Sequence, residues 1–284
     1  MRLTSLRLDG AEPAALVRPS GAVLLTAVNE ALGTTWSGTV QELLENGEVE
    51  QLRGWVAGAD AARLDALAIP QEELVYAPLY RRPRKIWGIG LNYVEHAADL
   101  SEKAPSTEPA SFMKPDTAII GPGEAIRIPP QSDRTTAEGE LGVVIGRECR
   151  DVEEADAASV VAGFTTVVDM TAEDILEVNP RYLTRSKSFD TFFSFGPELV
   201  TVDEVPDVEA LEVATVHNGS VYRRNVVSNM TFRPWWLVAF HSKVMTLLPG
   251  DIISTGTPGA VHIRPGDTAG VQIAGFRELS NPVT

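Results

Sequence analysis

Two glutamates separated by one glycine, Glu138-Gly139-Glu140, and an aspartate, Asp169, at the end of a second apolar run are the residues best suited to chemistry. Residues two apart in a strand point to the same side of a sheet, so both glutamate carboxylates share one face. Such a pair is tolerated where a cation neutralises it or where the face is solvated. Three oxygen donors without a neighbouring His or Cys favour Mg²⁺, Mn²⁺ or Ca²⁺. The spacing leaves a metal site and an acidic edge strand both open.

A second candidate is the pair His96 and Asp99 within residues 92–99. Positions i and i+3 of a helix lie on one face, so the two side chains can meet. A carboxylate that holds one imidazole nitrogen fixes the tautomer and makes the other nitrogen a better base, which suits activation of water. The same pattern is also typical of an ordinary surface pair.

Two further segments carry groups that could hold an anion. Lys187 stands between two serines and is followed by aromatic residues, and its ammonium could reach a carboxylate or a developing oxyanion. The turn at residues 255–259, Thr-Gly-Thr-Pro-Gly, offers hydroxyl and backbone N–H groups. A solvated lysine and a purely structural turn are the alternatives.

Composition excludes several classes of function. The 284 residues carry 39 Asp and Glu against 24 Lys and Arg, a formal net charge of −15, so the field of the protein repels nucleic acid. The single cysteine, Cys149, has no partner for a disulfide. We find no apolar run long enough to cross a bilayer and no signal-peptide pattern, which predicts a cytoplasmic protein without membrane or nucleic-acid partners.

The elements that must position these residues are mainly strands. In the first 80 residues, apolar patterning predicts strands near Leu3 and over 22–28 and a helix over 40–56. The pattern breaks at residues 79–83. This break predicts a small N-terminal domain, 1–80, followed by a larger domain, 81–284. Short apolar runs then predict nine strands, at 86–91, 118–120, 126–128, 139–145, 164–168, 199–202, 212–217, 251–254 and 268–273. Helices are predicted at 93–100, 152–157, 172–178 and 234–245. The fold class is therefore mostly β with α, that is, α+β.

Taken in order, these motifs resemble the fumarylacetoacetate hydrolase family from about residue 85 to residue 283. The matching segments are residues 90–96, 112–115, 121–123, 138–146, 162–172, 187–192, 196–197, 218–219, 248–251 and 255–258. The resemblance implies a C-terminal domain of rolled mixed β-sheet, a small α/β N-terminal domain and a homodimer. It also implies that Mg²⁺ or Mn²⁺ binds to Glu138, Glu140 and Asp169.

The resemblance further implies a function and a set of site residues. The expected activity is divalent-metal-dependent hydrolysis or lysis of a C–C bond in a small β-diketo or 2-oxo acid, similar to an acylpyruvate or oxaloacetate, through a metal-bound enolate. An isomerase of unsaturated 2-oxo diacids and a catalytically silent metal or oxo-acid binding homologue are the alternatives. The implied catalytic residues are His96, Asp99 and Lys187, with a His-Asp dyad activating water. The implied substrate contacts are Asn92, Tyr93, Lys114, Arg185 and Thr257.

The chain departs from the family pattern near the expected substrate. Asp99 stands where the family usually has Glu, and Glu173 and Leu176 stand where it commonly has Arg and Gln. These changes spare the metal set and concern substrate recognition.

Overall fold

The computed structural model describes residues 1–99 and 104–284, with the side chains of 97–99 left out. It is a mixed fold of 28% helix and 35% strand with open sheets, which confirms the predicted α+β class. The strands are β1 Arg2–Ser5, β2 Ala14–Arg18, β3 Gly21–Leu24, β4 Ile69–Pro70, β5 Ile86–Gly90, β6 Ala110–Lys114, β7 Ile119–Ile120, β8 Thr135–Ile145, β9 Val161–Ala172, β10 Phe193–Phe195, β11 Glu198–Thr201, β12 Glu212–His217, β13 Ser220–Val226, β14 Ile252–Ser254, β15 Ala260–His262, β16 Thr268–Ile273 and β17 Leu279–Pro282.

Short helices connect the strands. The α-helices are α1 Leu25–Leu32, α2 Val40–Glu45, α3 Glu48–Gly58, α4 Ala61–Asp65, α5 Val94–Asp99, α6 Glu173–Val178, α7 Leu183–Lys187 and α8 Pro234–Val244. Single turns of 3₁₀-helix lie at Gln71–Glu73, Asp116–Ala118, Val202–Glu204, Val208–Ala210 and Val227–Asn229, and a longer one at Glu154–Val160. Within the described ranges, no helix has the length and apolar character needed to span a membrane.

One large mixed sheet runs through the molecule in the order β4-β3-β2-β1-β11-β9-β8-β14-β5-β6, with β7, β10 and β15 attached beside this path. Its two longest strands, β8 and β9, pair antiparallel at the centre and set Glu138 opposite Asp169. Strand β1 pairs with β11, so the N-terminal segment continues the same sheet. A second sheet, β13-β12-β16-β17, packs on β8 through β12 and β16.

Several local predictions were wrong, and each has a physical reason. The strand predicted over 22–28 ends at Leu24, because Leu25 and Val28 are buried one helical turn apart in α1. The helix predicted over 40–56 is two helices, because Gly47 adopts a left-handed φ of 67° between them. Residues 126–128 form no strand and contribute one isolated bridge, between Ile126 and Val283. The helix predicted at 152–157 is the 3₁₀-helix Glu154–Val160.

The glycine between the two glutamates has a packing role on the opposite face of β8. A Cβ on Gly139 would lie 3.0 Å from Thr215 Cα and 3.1 Å from Val271 Cβ, both in the second sheet. The Gly139 N–H also donates to Thr215 Oγ1 at 3.0 Å. A side chain at this position would press against the second sheet, so glycine lets that sheet sit close behind the two carboxylates.

We expect Gly139→Ala to lower the free energy of unfolding by about 1–3 kcal/mol, because the new methyl group overpacks a backbone contact. A matched control is Gly54→Ala in α3, where a Cβ meets nothing within 4 Å. That variant should gain about 0.5–1 kcal/mol from helix propensity. Denaturant unfolding followed by circular dichroism measures both, and equal stability of the two variants would contradict the close packing.

Candidate active site

Three carboxylates meet at the centre of the β8–β9 pair. Glu138 and Glu140 project from one face of β8, and Asp169 lies across from Glu138 on β9. One carboxylate oxygen from each residue lies within 4.8 Å of the other two. All three side chains are buried, with 8%, 2% and 1% of their residue surface exposed. The predicted same-side arrangement of the two glutamates is therefore present, and the solvated-edge alternative is wrong.

Two lysines from distant elements neutralise this cluster. Lys187, at the end of α7, donates from Nζ to Glu138 Oε2 at 2.9 Å and to Asp169 Oδ2 at 2.6 Å. Lys114, at the end of β6, donates to Asp169 Oδ1 at 2.5 Å and to the Met170 carbonyl at 3.3 Å. Both lysines are buried, so these ion pairs are shielded from water.

Neutral donors fix the orientation of the glutamates. Glu140 Oε2 accepts from Ser254 Oγ at 2.5 Å and from the Gly256 N–H at 2.9 Å. Glu138 Oε1 accepts from Thr171 Oγ1 at 2.5 Å. Such hydrogen bonds hold the carboxylates in place and leave their remaining lone pairs for a further ligand.

Burial and neighbouring charges shift the pKa values of Glu140 and Asp169 in opposite directions. Burial, together with the charges of Asp169 and Glu138, raises the pKa of Glu140 to about 8. Burial alone would raise the pKa of Asp169, but the ammonium groups of Lys114 and Lys187 hold it below its usual value. With a proton on Glu140, the two remaining carboxylates face two ammonium groups and the buried charge balances.

The donor set fits a hard divalent cation. Carboxylate oxygens suit Mg²⁺, Mn²⁺ and Ca²⁺, and three buried carboxylates supply the negative charge that such an ion requires. Glu138, Glu140 and Asp169 are close enough to bind one ion together. The triad could therefore hold a divalent metal.

The triad borders a cavity of about 410 Å³. Glu138 lines it together with His96, Lys187 and Thr257, so the structure brings four of the residues expected from the sequence to one space. Phe112 also lines the cavity, and the Lys187 Nζ lies over its ring, 4.9 Å from the ring centroid. His96 and Thr257 are buried, with 6% and 3% of their surface exposed.

Other expected substrate contacts lie elsewhere. Asn92 is buried and fully bonded: it donates to the carbonyls of Phe232 and Thr255 and accepts from the Phe232 N–H. It thereby supports the turn that carries Thr257. Tyr93 is fully buried, and neither it nor Asn92 lines the cavity.

Lys114, as described above, is bound to Asp169 and the Met170 carbonyl. Arg185 is exposed on α7 and does not line the cavity. The side chain of Asp99 lies outside the described residues, so the expected pairing with His96 has no geometry to report.

The sequence analysis missed several residues of the site. Thr171 could have been found, because it lies two residues after Asp169 and so on the same face of β9. Gly256 lies in the turn 255–259 that the sequence indicated for its N–H groups. Nothing local indicated that Gly256 and Ser254 reach Glu140, because that contact depends on the pairing of β14 with β8. The outer cavity wall formed by α6 and α7 was also missed, since α7 was not predicted.

Comparison with known proteins agrees with this fold. The family model for the C-terminal domain of fumarylacetoacetate (FAA) hydrolase matches residues 85–284. An uncharacterized protein of Archaeoglobus fulgidus is 44% identical over 200 residues, covering 70% of this chain and 78% of its own length. This chain belongs to the fumarylacetoacetate hydrolase family.

Two solved structures resemble the whole chain. Maleylpyruvate hydrolase from Sphingobium sp. SYK-6, in complex with manganese(II) and pyruvate, is 28% identical with a TM-score of 0.80, and the match covers 100% of this chain and 99% of that one. The 5-carboxymethyl-2-hydroxymuconate delta-isomerase of Mycobacterium smegmatis is 31% identical with a TM-score of 0.77, at 100% and 98% coverage. Relatives of known structure therefore include both a hydrolase and an isomerase.

We expect divalent metal affinity to rise between pH 6 and pH 8 by up to about tenfold per pH unit, because Glu140 must lose its proton to bind the ion. Since the folded pKa of about 8 exceeds the ordinary 4.5, the protonated form stabilises the metal-free protein. That contribution is full below about pH 4.5 and is lost as pH rises through about 8.

Isothermal titration calorimetry with Mn²⁺ at pH 6, 7 and 8, in two buffers of different ionisation enthalpy, measures both affinity and proton release. Ser254→Ala removes a hydrogen bond that favours the charged form of Glu140, so it should move the rise in affinity to higher pH. A metal affinity independent of pH, with no proton released, would contradict the protonated state of Glu140.

Proposed function

We propose that this protein is a divalent-metal-dependent hydrolase or lyase that cleaves a C–C bond in a 2-oxo or β-diketo acid of the acylpyruvate or oxaloacetate type. The observation that carries the proposal is one cavity lined by His96, Lys187 and Glu138, the last of which belongs to the buried Glu138/Glu140/Asp169 triad. A metal-complexed hydrolase among the structural neighbours supports it.

Glu138, Glu140 and Asp169 would hold the ion, Mg²⁺ or Mn²⁺. When bound, such a cation polarises a 2-oxo group and stabilises the negative charge that develops when the C–C bond breaks. Ser254, Thr171 and the Gly256 N–H keep the ligands in position through the hydrogen bonds described above. The manganese in the neighbouring hydrolase is consistent with either ion here.

His96 is the candidate general base. It lies in the cavity on α5, and in this proposal Asp99 orients its ring. Removal of a proton from water by His96 allows the oxygen to add to the 4-carbonyl of an acylpyruvate. The C3–C4 bond then breaks, its electron pair moves to the pyruvate part, and a proton returned to C3 gives pyruvate and a carboxylic acid.

Lys187 and Thr257 are candidate anion contacts. Lys187 stays charged, because Asp169 and Glu138 raise its pKa against the effect of burial. Its ammonium can stabilise a substrate carboxylate or a developing oxyanion, and the Thr257 hydroxyl adds a neutral hydrogen bond at the same cavity.

We also propose a homodimer, a cytoplasmic location and the absence of nucleic-acid or membrane partners. These proposals rest on the family resemblance and on the net charge.

We expect EDTA to abolish whatever pyruvate release the protein shows with acetylpyruvate, fumarylpyruvate or oxaloacetate, and added Mg²⁺ or Mn²⁺ to restore it. We expect Glu138→Gln to lower kcat/KM at least a hundredfold, because it removes a charged ligand. The matched control is Glu148→Gln, an exposed glutamate just beyond β8, which should stay within twofold. Pyruvate binding without turnover of any of the three acids would indicate a binding homologue instead.

Replacing His96 separates cleavage from proton transfer at the pyruvate part. We expect His96→Gln to lower the cleavage rate about 10²–10⁴-fold, the usual contribution of a general base. Metal-dependent exchange of the pyruvate methyl protons with D₂O, followed by NMR, should persist. Full retention of cleavage by this variant would refute the role of His96 in activating water.

An isomerase of unsaturated 2-oxo diacids is the second candidate, favoured by the isomerase that matches the whole chain at 31% identity. Isomerisation needs a cation and a proton shuttle but no attacking water. Interconversion of such a diacid without pyruvate release would identify it.

A further inference from the structure

The cavity extends beyond the metal triad toward helices α6 and α7. Along the β8–β9 pair, Glu138 lies opposite Asp169 and Thr136 lies opposite Thr171. Two residues along a strand span about 7 Å, so the floor of the cavity extends outward from the carboxylates past Thr171. Glu173 follows at the start of α6, and all of these except Asp169 line the cavity.

The outer wall is mainly apolar. Leu176 on α6, Leu183 on α7 and Pro180 between them line the cavity. The β5–β6 pair and the residue that follows β5 add further apolar lining, from Ile89, Leu91, Ala110 and Phe112. An apolar substrate tail would lose contact with water against these side chains, which is favourable by about 25 cal/mol per Å².

The charges near this wall are negative. Glu173 and Glu177 line the cavity, and both pair with Arg134, at 2.9 Å and 3.0 Å. Two carboxylates share one guanidinium, so the local charge stays negative.

Cations are scarce in the part of this cavity that the structure describes. Among the described lining residues, Lys187 is the one lysine or arginine, and its ammonium is already bound to Glu138 and Asp169. Arg181 and Arg185, the nearest cations in sequence, are exposed and do not line the cavity. Among the described lining residues, a carboxylate at the far end of a substrate would therefore find no cationic partner beyond Lys187 and would face two like charges.

We propose that this site selects 2-oxo acids with an uncharged, apolar tail and rejects those whose tail ends in a second carboxylate. The inference rests on the proposed function, since it assumes that the 2-oxo acid end binds at the triad. It narrows the proposed substrates to monocarboxylic acylpyruvates such as acetylpyruvate, and it excludes oxaloacetate, fumarylpyruvate and the diacids of the isomerase alternative.

Two ligands of equal length that lack the cleavable 4-oxo group test this directly: 2-oxooctanoate, which ends in a methyl group, and 2-oxooctanedioate, which ends in a carboxylate. Calorimetry on the Mg²⁺-loaded protein should give at least tenfold tighter binding of the monoacid. Equal or tighter binding of the diacid would overturn the inference.

A positive charge in the outer wall should remove the preference for the monoacid. We expect Leu176→Arg to reduce the ratio of monoacid to diacid affinity at least tenfold, whereas Leu176→Met, which keeps the wall apolar, should leave the ratio within twofold. If Leu176→Arg does not fold, Glu177→Gln takes its place as the test variant, since Glu177 is exposed. That variant should reduce the ratio of monoacid to diacid affinity a few-fold. A ratio unchanged in the arginine and glutamine variants would contradict the role of this wall.

Pyruvate, which has no tail, distinguishes this inference from the proposed function. Absence of metal-dependent pyruvate binding would refute the proposed function itself. Pyruvate binding combined with no discrimination between the two eight-carbon acids would refute only the selection of the tail.

Discussion

Compensation of three buried negative charges is the constraint on which the centre of this fold depends. An unpaired carboxylate in a protein interior costs several kcal/mol, and Glu138, Glu140 and Asp169 lie side by side. Lys187 and Lys114 arrive from separate elements to pair with two of them, and Glu140 keeps a proton. A divalent cation in place of that proton would bring two positive charges instead of one. The hydrogen bonds to Glu138 and Glu140 already hold these ligands in position.

The sheets give this cluster its rigidity. The long β8–β9 pair carries the three carboxylates, while the second sheet packs directly behind them because Gly139 has no side chain. Strand β14 then brings the Ser254 hydroxyl and the Gly256 N–H to Glu140. Residues inside paired strands are held by neighbouring strands on both sides, so the ligand positions do not depend on one mobile loop. That is the precision that metal chemistry requires.

The cavity has two chemically different ends. Near the triad, ion pairs and hydroxyl groups suit the carboxylate and oxo groups of a 2-oxo acid, whereas the wall from α6 and α7 is apolar and edged by acidic groups. Family membership is shared with hydrolases and isomerases, so the reaction cannot be inferred from the fold alone. The outer wall includes Glu173 and Leu176, where this chain departs from the family pattern, and under our proposal this wall decides the substrate preference.

The sequence by itself determined the α+β class, the family and the shared face of Glu138 and Glu140, because strand periodicity and ordered motifs are local properties of the chain. It could not reveal that Lys114 binds Asp169, that Asn92 supports a turn, or that Arg185 is exposed on α7. Those positions are decided by which elements meet in three dimensions. Spacing along the chain sets the side to which a residue points, but only tertiary packing sets what it faces, and charge balance between distant residues is a property of that packing.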